Sequence, residues 1–535
     1  MRYQGFLFCC LFLIHNCLSA QYKKIILPDS FPYSNISTFS ASEIIESGIP
    51  GREIAISGTV AGTDSFFFGY QNPFLLQLNR AGQPQNFSMF EDQAPFLTTG
   101  SRSYSVCYDG TGNFYHALGS NNKQIVIKMN QNGGYEWSRA VNHHEFFDIV
   151  WNGTSAALFG QDEPTGGDHD FSLVKFDSAG NSSPGSMFGT PGFEIPGKFI
   201  YKNNYYVMAG SSYQNSVFEL MVIKADTALN QVWGKYWGVP NVRLTAQDIC
   251  FSNDTRGYLL TGYTTGNQND SLLIVKMDTS GNIAWSKVYG LNGTAEIQGM
   301  SITPCGNSGY LVSGAYRGSV YRRPFVMRID ESGVPIWARD YADGESNKEE
   351  ILSSILMSQT DGFFYAAGEY TQVDSLLISR AVLLIKALPD SGITPCDSAL
   401  SFSSGNINLT LTGTTLSTGF SGSVPVLFAE NTGQMKVETR CSLITRTEPG
   451  QENILSLIFT NPVSETCEIE TNVPWGTADL EIFSLDGKLV YTKKIGRGNG
   501  KYSLNMNEIN NGLYLIRINC EGLVSQTGRL LVIKN

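Results

Sequence analysis

The chain has 535 residues, too many for one ordinary core, so two or more domains are expected. Its 55 glycines, 25 tyrosines and 31 phenylalanines, set against 16% charged residues, describe an all-β protein with many turns and exclude a helical one. A formal charge of −11 repels phosphate backbones and anionic lipid, which excludes nucleic acid as a partner.

In chain order, residues 1–20 read as a signal peptide, with basic Arg2, an apolar stretch from Phe6 to Ile14, and small Ser19-Ala20 before cleavage at Gln21. No later apolar run approaches the ~18 residues a membrane span needs, so no transmembrane segment is expected. Seven of the ten cysteines lie beyond this segment, an odd number for an oxidising compartment. Cys467 with Cys520, and Cys396 with Cys441, are the candidate disulfides. Cys107, Cys250 and Cys305 read as small core residues on matching strands.

Residues 21–395 carry an internal repeat: a strand ending in Gly, a variable loop, then apolar-apolar-Lys-x-Asp-x-x-Gly-x-x-x-Trp. The clearest copy has Gly262, Lys276, Asp278, Gly281 and Trp285, and the next has Gly314, Arg328, Asp330, Gly333 and Trp337. Upstream copies carry Lys224, Asp226 and Trp233; Lys175 and Asp177; and Lys128 with Trp137. Two degenerate copies centre on Gln77 and Lys386, giving seven anchors spaced 47 to 58 residues apart. That period fits four-stranded units arranged radially, a seven-bladed β-propeller. Asp-Thr-Ser-Gly-Asn at 278–282 is a hairpin turn, the Trp that follows can wedge between blades, and Lys can carry its ammonium to the rim. The early segment Tyr22 to Leu27 is expected to supply the strand that closes the ring.

Residues 396–450 are rich in Ser, Thr and Gly with weak alternation, a loose β-hairpin region or a linker. Residues 451–535 read as short alternating strands with a hairpin at Asp486-Gly487, hence a small β-sandwich of immunoglobulin-like type. This last segment holds Asn461-Pro462 followed by Val463-Ser464, then Asp486-Gly487-Lys488, then Gly512-Leu513-Tyr514, and an apolar strand ending at Lys534. In that order these elements resemble the type A C-terminal sorting domain of the type IX secretion system of Bacteroidota. The resemblance implies recognition by the type IX machinery, passage through the periplasm, and arrival at the cell surface or outside it.

The search for chemistry finds little. Of the histidines beyond the signal, His143-His144-Glu145 lacks the four-residue spacing of a zinc helix. Asp162, Glu163, Asp168, His169 and Asp170 crowd one loop, which reads as solvated rather than metal-binding. Gly192 to Phe199 nearly spells a phosphate loop, but Phe199 replaces the hydroxyl and Pro196 removes an amide. No catalytic, cofactor or metal residue is assigned, and no cofactor is expected. Two readings remain: a propeller that binds an extracellular glycan or protein, and a carbohydrate-active or other hydrolase or lyase with carboxylates near the axis. The loops at 161–170, 263–270 and 316–323 are the candidate contacts of the first reading. Convergent carboxylates with a basic or aromatic partner in the central funnel would favour the second.

Overall fold

The computed structural model describes residues 21–26, 36–440 and 454–534, apart from connections at 64–68, 93–101, 121–122, 143, 163–168, 215, 267–269, 293, 295, 307–308, 318–319, 343–347, 374–377, 395–396, 421–423, 426–427, 433–434, 456, 460–462, 472–477, 485–487, 497–500, 521–523, 526 and 533. The chain divides into two units, residues 1–440 and 441–535.

In the first unit the repeat folds into seven antiparallel blades. Their innermost strands, blades 1 to 7 in order, are Ile36–Glu46, Arg102–Tyr108, His144–Trp151, Phe193–Lys202, Arg243–Phe251, Ile297–Pro304 and Lys348–Met357. Each innermost strand touches those of the two neighbouring blades, and blade 7 touches blade 1. Seven apolar clusters among the described residues each join two adjacent blades, the last uniting Phe39 and Ile44 of blade 1 with Tyr365 and Leu384 of blade 7. Packing on both faces explains why inner strands such as Ser271–Asp278 run apolar without alternation.

The ring closes as expected. Gln21–Ile26 forms the fourth strand of blade 7, pairing with Ile378–Ala387 in the register Gln21 to Lys386 and Ile25 to Val382. Lys23 of this strand is buried, which together with the nearby Lys386 charge pulls its ammonium down to about 8.

The Ser/Thr/Gly-rich segment is neither a hairpin nor a free linker. It runs backwards around the outside of the ring and adds a fifth strand to every blade. Ser398–Ala399 pairs with blade 6, Phe402–Asn406 with blade 5, Thr410–Thr414 with blade 4 and Leu416–Phe420 with blade 3. Val424–Pro425 pairs with blade 2, Phe428–Thr432 with blade 1, and Lys436–Arg440 with the N-terminal strand of blade 7. A segment with too few apolar residues for a core of its own thus finds its backbone partners on seven sheet edges. The closing strand is the one most affected, since Ile25 pairs with Val382 on one side and Val437 on the other.

The repeat motif staples each blade to the next. Trp137 Nε1 donates to Ser178 O at 3.0 Å, Trp233 to Thr279 O at 3.2 Å, Trp285 to Glu331 O at 3.3 Å and Trp337 to Pro389 O at 3.0 Å. The basic residue reaches the same turns: Lys175 to Thr227 O, Lys224 to Thr279 O, Lys276 to the Glu331 carboxylate, Arg328 to Pro389 O and Lys386 to Arg80 O. Lys128 instead pairs with Glu136 at 2.9 Å. Asp278 Oδ1 accepts the amides of Ser280 and Asn282, each at 2.8 Å, as turn chemistry requires; Asp177, Asp226 and Asp330 do the same work. These bonds outweigh the partial burial of Asp278 and hold its carboxyl below the usual range.

Two glycines of these turns have a definite reason. Gly281 and Gly333 both have φ of +76°, and a Cβ there would meet the Trp233 ring at 2.9 Å and the Trp285 ring at 2.8 Å. Gly333→Ala is therefore expected to cost about 1–3 kcal/mol, through left-handed strain and a displaced Trp285, read as a lower denaturation midpoint. An unchanged midpoint would show that the indole yields freely.

In the second unit, two sheets enclose one apolar core built from Cys467, Ile469 and Leu504 on one side and Leu480, Ile482, Ile516 and Leu530 on the other. Of the sorting motif, Asn461, Pro462, Asp486 and Gly487 lie outside the described residues. Lys488 O accepts the Ser484 amide at 2.9 Å across the hairpin, and Gly512 opens the strand Gly512–Cys520. Tyr514 donates to Asn510 O at 3.1 Å, and Lys534 Nζ to Asn507 O at 2.9 Å. Cys396, Cys441 and the Cys520 side chain lie outside the described residues, so neither candidate disulfide can be followed there.

Candidate functional site

Each innermost strand carries a one-residue bulge at the same level. The register shifts lie between Ala41 and Glu43, Ser103 and Ser105, Phe146 and Asp148, Pro196 and Phe199, Ala246 and Asp248, Gly299 and Ser301, and Leu352 and Ser354. A bulge re-aims the side chain that follows it. Here that residue is Glu43, Ser105, Asp148, Asp248, Ser301 or Ser354, with Lys198 of blade 4 inside the bulge itself, one per blade, and the next residue in each strand is a buried apolar one from Ile44 to Ile355. The result is a ring of seven polar side chains about the axis.

Most of this ring ties blade to blade. Asp148 Oδ2 accepts the Phe199 amide of the next blade at 3.0 Å, and Asp248 Oδ2 accepts the Ile302 amide at 2.8 Å. Ser301 and Ser354 accept the Ile355 and Ile44 amides at 3.3 Å. Hydroxyls complete the arrangement, from Ser105 to Asp148 at 2.6 Å, Ser301 to Asp248 at 2.7 Å and Ser354 to Glu43 at 2.7 Å. Lys198 donates to Glu43 and, at 3.1 Å, to Asp148.

From this ring a cavity of about 590 Å³ extends along the axis. Its walls come from the second halves of the innermost strands, so it lies toward the end of the ring that bears the repeat-motif turns. Glu43, Glu46, Asp109, Asp148 and Asp248 converge on it with Lys198, and Tyr108 and Trp151 line it. Burial pushes the Asp248 carboxyl up to about 7, aided by the Glu43 charge and opposed by Ser301, the Ile302 amide and Lys198. Burial works to lower the Lys198 ammonium, but Asp148 and Glu43 outweigh it and hold it well above its ordinary value.

The Asp248 shift sets a pH dependence. Between about pH 4 and pH 7 the folded chain holds a proton that the unfolded chain has released, so stability falls as pH rises through that window. Asp248→Asn removes this titration. Its stability relative to the native chain in urea should therefore be higher at about pH 8 than at about pH 5. A difference that does not vary with pH would mean that Asp248 is ionised throughout.

None of the repeat-motif residues faces this cavity. Of the loops at 161–170, 263–270 and 316–323, residues 163–168, 267–269 and 318–319 lie outside the described residues; the ends of the second and third strands that flank them lie at the opposite end of the ring. His116 is fully buried 2.7 Å from Ser103 Oγ, and burial pushes it down to about 3, a neutral core imidazole. His143 and the side chain of His144 lie outside the described residues, while His169 sits edge-on to Phe193 at 4.6 Å. Among the described residues no group of three or more His, Cys, Asp or Glu is placed to hold a metal ion. Among the described residues no helix is long and apolar enough to cross a membrane.

The sequence reading passed over the axial residues. Lys198 belongs to the phosphate-loop look-alike at 192–199, which is the innermost strand of blade 4. A signal was present: every repeat holds a polar residue followed by Ile, Val or Phe shortly before the Gly that anchors it, as in Asp148-Ile149 and Asp248-Ile249.

Comparison with known proteins adds the following. Residues 457–534 match the family of secretion system C-terminal sorting domains. No curated protein matches the chain in sequence. A periplasmic gluconolactonase of Pseudomonas aeruginosa is similar in structure over 71% of this chain and 98% of its own, at 8% identity and a TM-score of 0.38. A putative 6-phosphogluconolactonase from Bacteroides uniformis covers 70% and 98%, at 9% identity and a TM-score of 0.35. Neither likeness bears on what this chain does.

Proposed function

We propose that this chain, which its C-terminal sorting domain sends through the type IX secretion system to the cell surface or beyond, is an extracellular binding protein that seats its ligand in the axial cavity. The observation that supports this reading is the convergence of charged and aromatic side chains on one axial cavity. Two of the ring's four charged side chains, Asp148 and Asp248, are also committed to backbone amides of neighbouring blades, which makes the ring a rigid receptor before it is anything else. The test is a screen of the mature protein against a glycan array, with Trp151→Ala as the comparison. Binding that Trp151→Ala abolishes supports the cavity, and binding that it leaves intact places the ligand elsewhere.

A second reading, a hydrolase, is favoured by Asp248, whose carboxyl burial pushes up to about 7 in a cavity it shares with the Glu43 carboxyl group. Such a pair can divide the roles of acid and base. Turnover of a bound glycan, lost in Asp248→Asn with binding retained, would establish it. Binding without turnover would dismiss it.

Two further parts of the reading concern delivery and closure. Removing residues 453–535 should leave a folded propeller held in the periplasm, and its appearance in the medium would contradict the sorting role. A Cys396–Cys441 disulfide would buckle the belt, since the belt begins on blade 6 and ends on the adjoining blade 7. Non-reducing peptide mapping of the secreted protein tests that bond.

A further inference from the structure

Two members of the axial ring depart from the pattern of the other five. Ser105, Asp148, Asp248, Ser301 and Ser354 are short side chains that bond to an adjacent blade, Ser105 by donating its hydroxyl to Asp148 and the other four by accepting a backbone amide. Lys198 has no acceptor to offer the next blade, and the Ile249 amide that follows it is taken by Asp248 itself, at 2.7 Å. Lys198 reaches instead to Glu43. Glu43 belongs to blade 1 and Lys198 to blade 4, three blades apart, the widest separation a ring of seven allows. The ion pair therefore crosses the lumen, as a bar over the base of the cavity.

We propose that the Glu43–Lys198 crossbar is the ligand-reading element of the axial cavity, and that it selects a neutral, polyhydroxylated ligand, a saccharide. The inference rests on the binding role argued above. Lys198 spends two of its ammonium hydrogens on Glu43 and Asp148, which leaves one donor. Glu43 accepts one hydrogen bond on each oxygen and keeps a lone pair on both. The base of the cavity thus offers a donor beside acceptors on one level. A cationic ligand would meet Lys198 on the axis, and an anionic one would meet Glu43, Asp148 and Asp248 around it. A hydroxyl group accepts from the ammonium and donates to the carboxylate, so adjacent hydroxyls on a sugar satisfy both ends of the bar. Tyr108 and Trp151 on the walls offer aromatic surface to the apolar face of a sugar ring.

The experiment is calorimetric titration of the mature, full-length protein with neutral gluco-, manno- and galacto-oligosaccharides, with putrescine as the cation and succinate as the anion. The variants are the charge-free Glu43→Gln/Lys198→Met pair and Trp151→Ala, each first checked for an intact thermal transition. The expected result is at least one neutral oligosaccharide that binds tenfold or more tightly than putrescine or succinate, and is weakened tenfold or more in both variants. Putrescine or succinate binding at least as well, in a manner Trp151→Ala weakens, would overturn the ligand class and leave the cavity as the binding site. Unchanged sugar affinity in the crossbar pair, with Trp151→Ala impaired, would reduce the bar to a brace. No probe binding, or binding indifferent to Trp151→Ala, would overturn the cavity reading itself and the crossbar with it.

Discussion

Replacing the belt, residues 398–440, by a Gly-Ser linker of the same length should leave a propeller that no longer accumulates as a soluble, protease-resistant monomer. The belt holds the outer edge of every blade, and without it seven sheet edges would be bared to other chains. Its largest single effect falls on blade 7. There the closing strand Gln21–Ile26 is joined to its blade by no covalent connection and carries two buried lysines, Lys23 and Lys24. The belt's last strand pairs along its free side, from Tyr22 opposite Arg440 to Ile26 opposite Lys436. Each ladder bond contributes about 0.5–1.5 kcal/mol net, so losing the whole belt removes an amount comparable with a domain's entire stability of about 5–15 kcal/mol. Hydrogen exchange gives the sharper view. Disrupting Lys436–Arg440 alone should open the amides of residues 22–26, whereas disrupting Thr410–Thr414 should bare only the edge of blade 4. Exchange at residues 22–26 that ignores both changes would mean that blade 7 closes without the belt.

Lys198→Met alone should destabilise the propeller by about 1–3 kcal/mol, less than stripping one partner from a fully buried ion pair costs, because Lys198 and Glu43 are part-buried. Glu43 and Asp148 would remain in the lumen without their cation, and the Asp248 carboxyl, which Lys198 now helps to ionise, would rise further. Adding Glu43→Gln to Lys198→Met should recover part of the loss, because it removes one of the stranded charges. A double-mutant cycle in urea measures both terms. A loss below about 1 kcal/mol for Lys198→Met, or strictly additive effects, would mean that the pair is solvated and does not span a closed lumen.

What could be read from the sequence divides by range. The blades were legible because each copy of the motif is local chemistry: Asp278 binds its own turn, Gly281 takes the positive φ, and Trp285 follows at fixed spacing. Ring closure was legible because only one early apolar strand was available to complete blade 7. The belt was not, since its strands find partners far away in the chain, as Glu430 does opposite Phe90, and nothing in a Ser/Thr-rich run names a distant edge. The axial ring fell between these cases. Its residues vary from Ser to Asp to Glu to Lys, so no identity repeats, and only the shared bulge shows that they occupy one level. The weight given to the loops at 161–170, 263–270 and 316–323 followed from their variability, whereas the cavity opens toward the opposite end of the ring.

The central claim, an exported propeller that binds along its axis, is tested most directly by hydrogen exchange on the secreted protein with and without a bound oligosaccharide. Protection is predicted at residues 105–109, 148–151 and 198–200, the second halves of the innermost strands. Protection confined to 161–170, 263–270 and 316–323 would place the ligand on the loops and contradict the account.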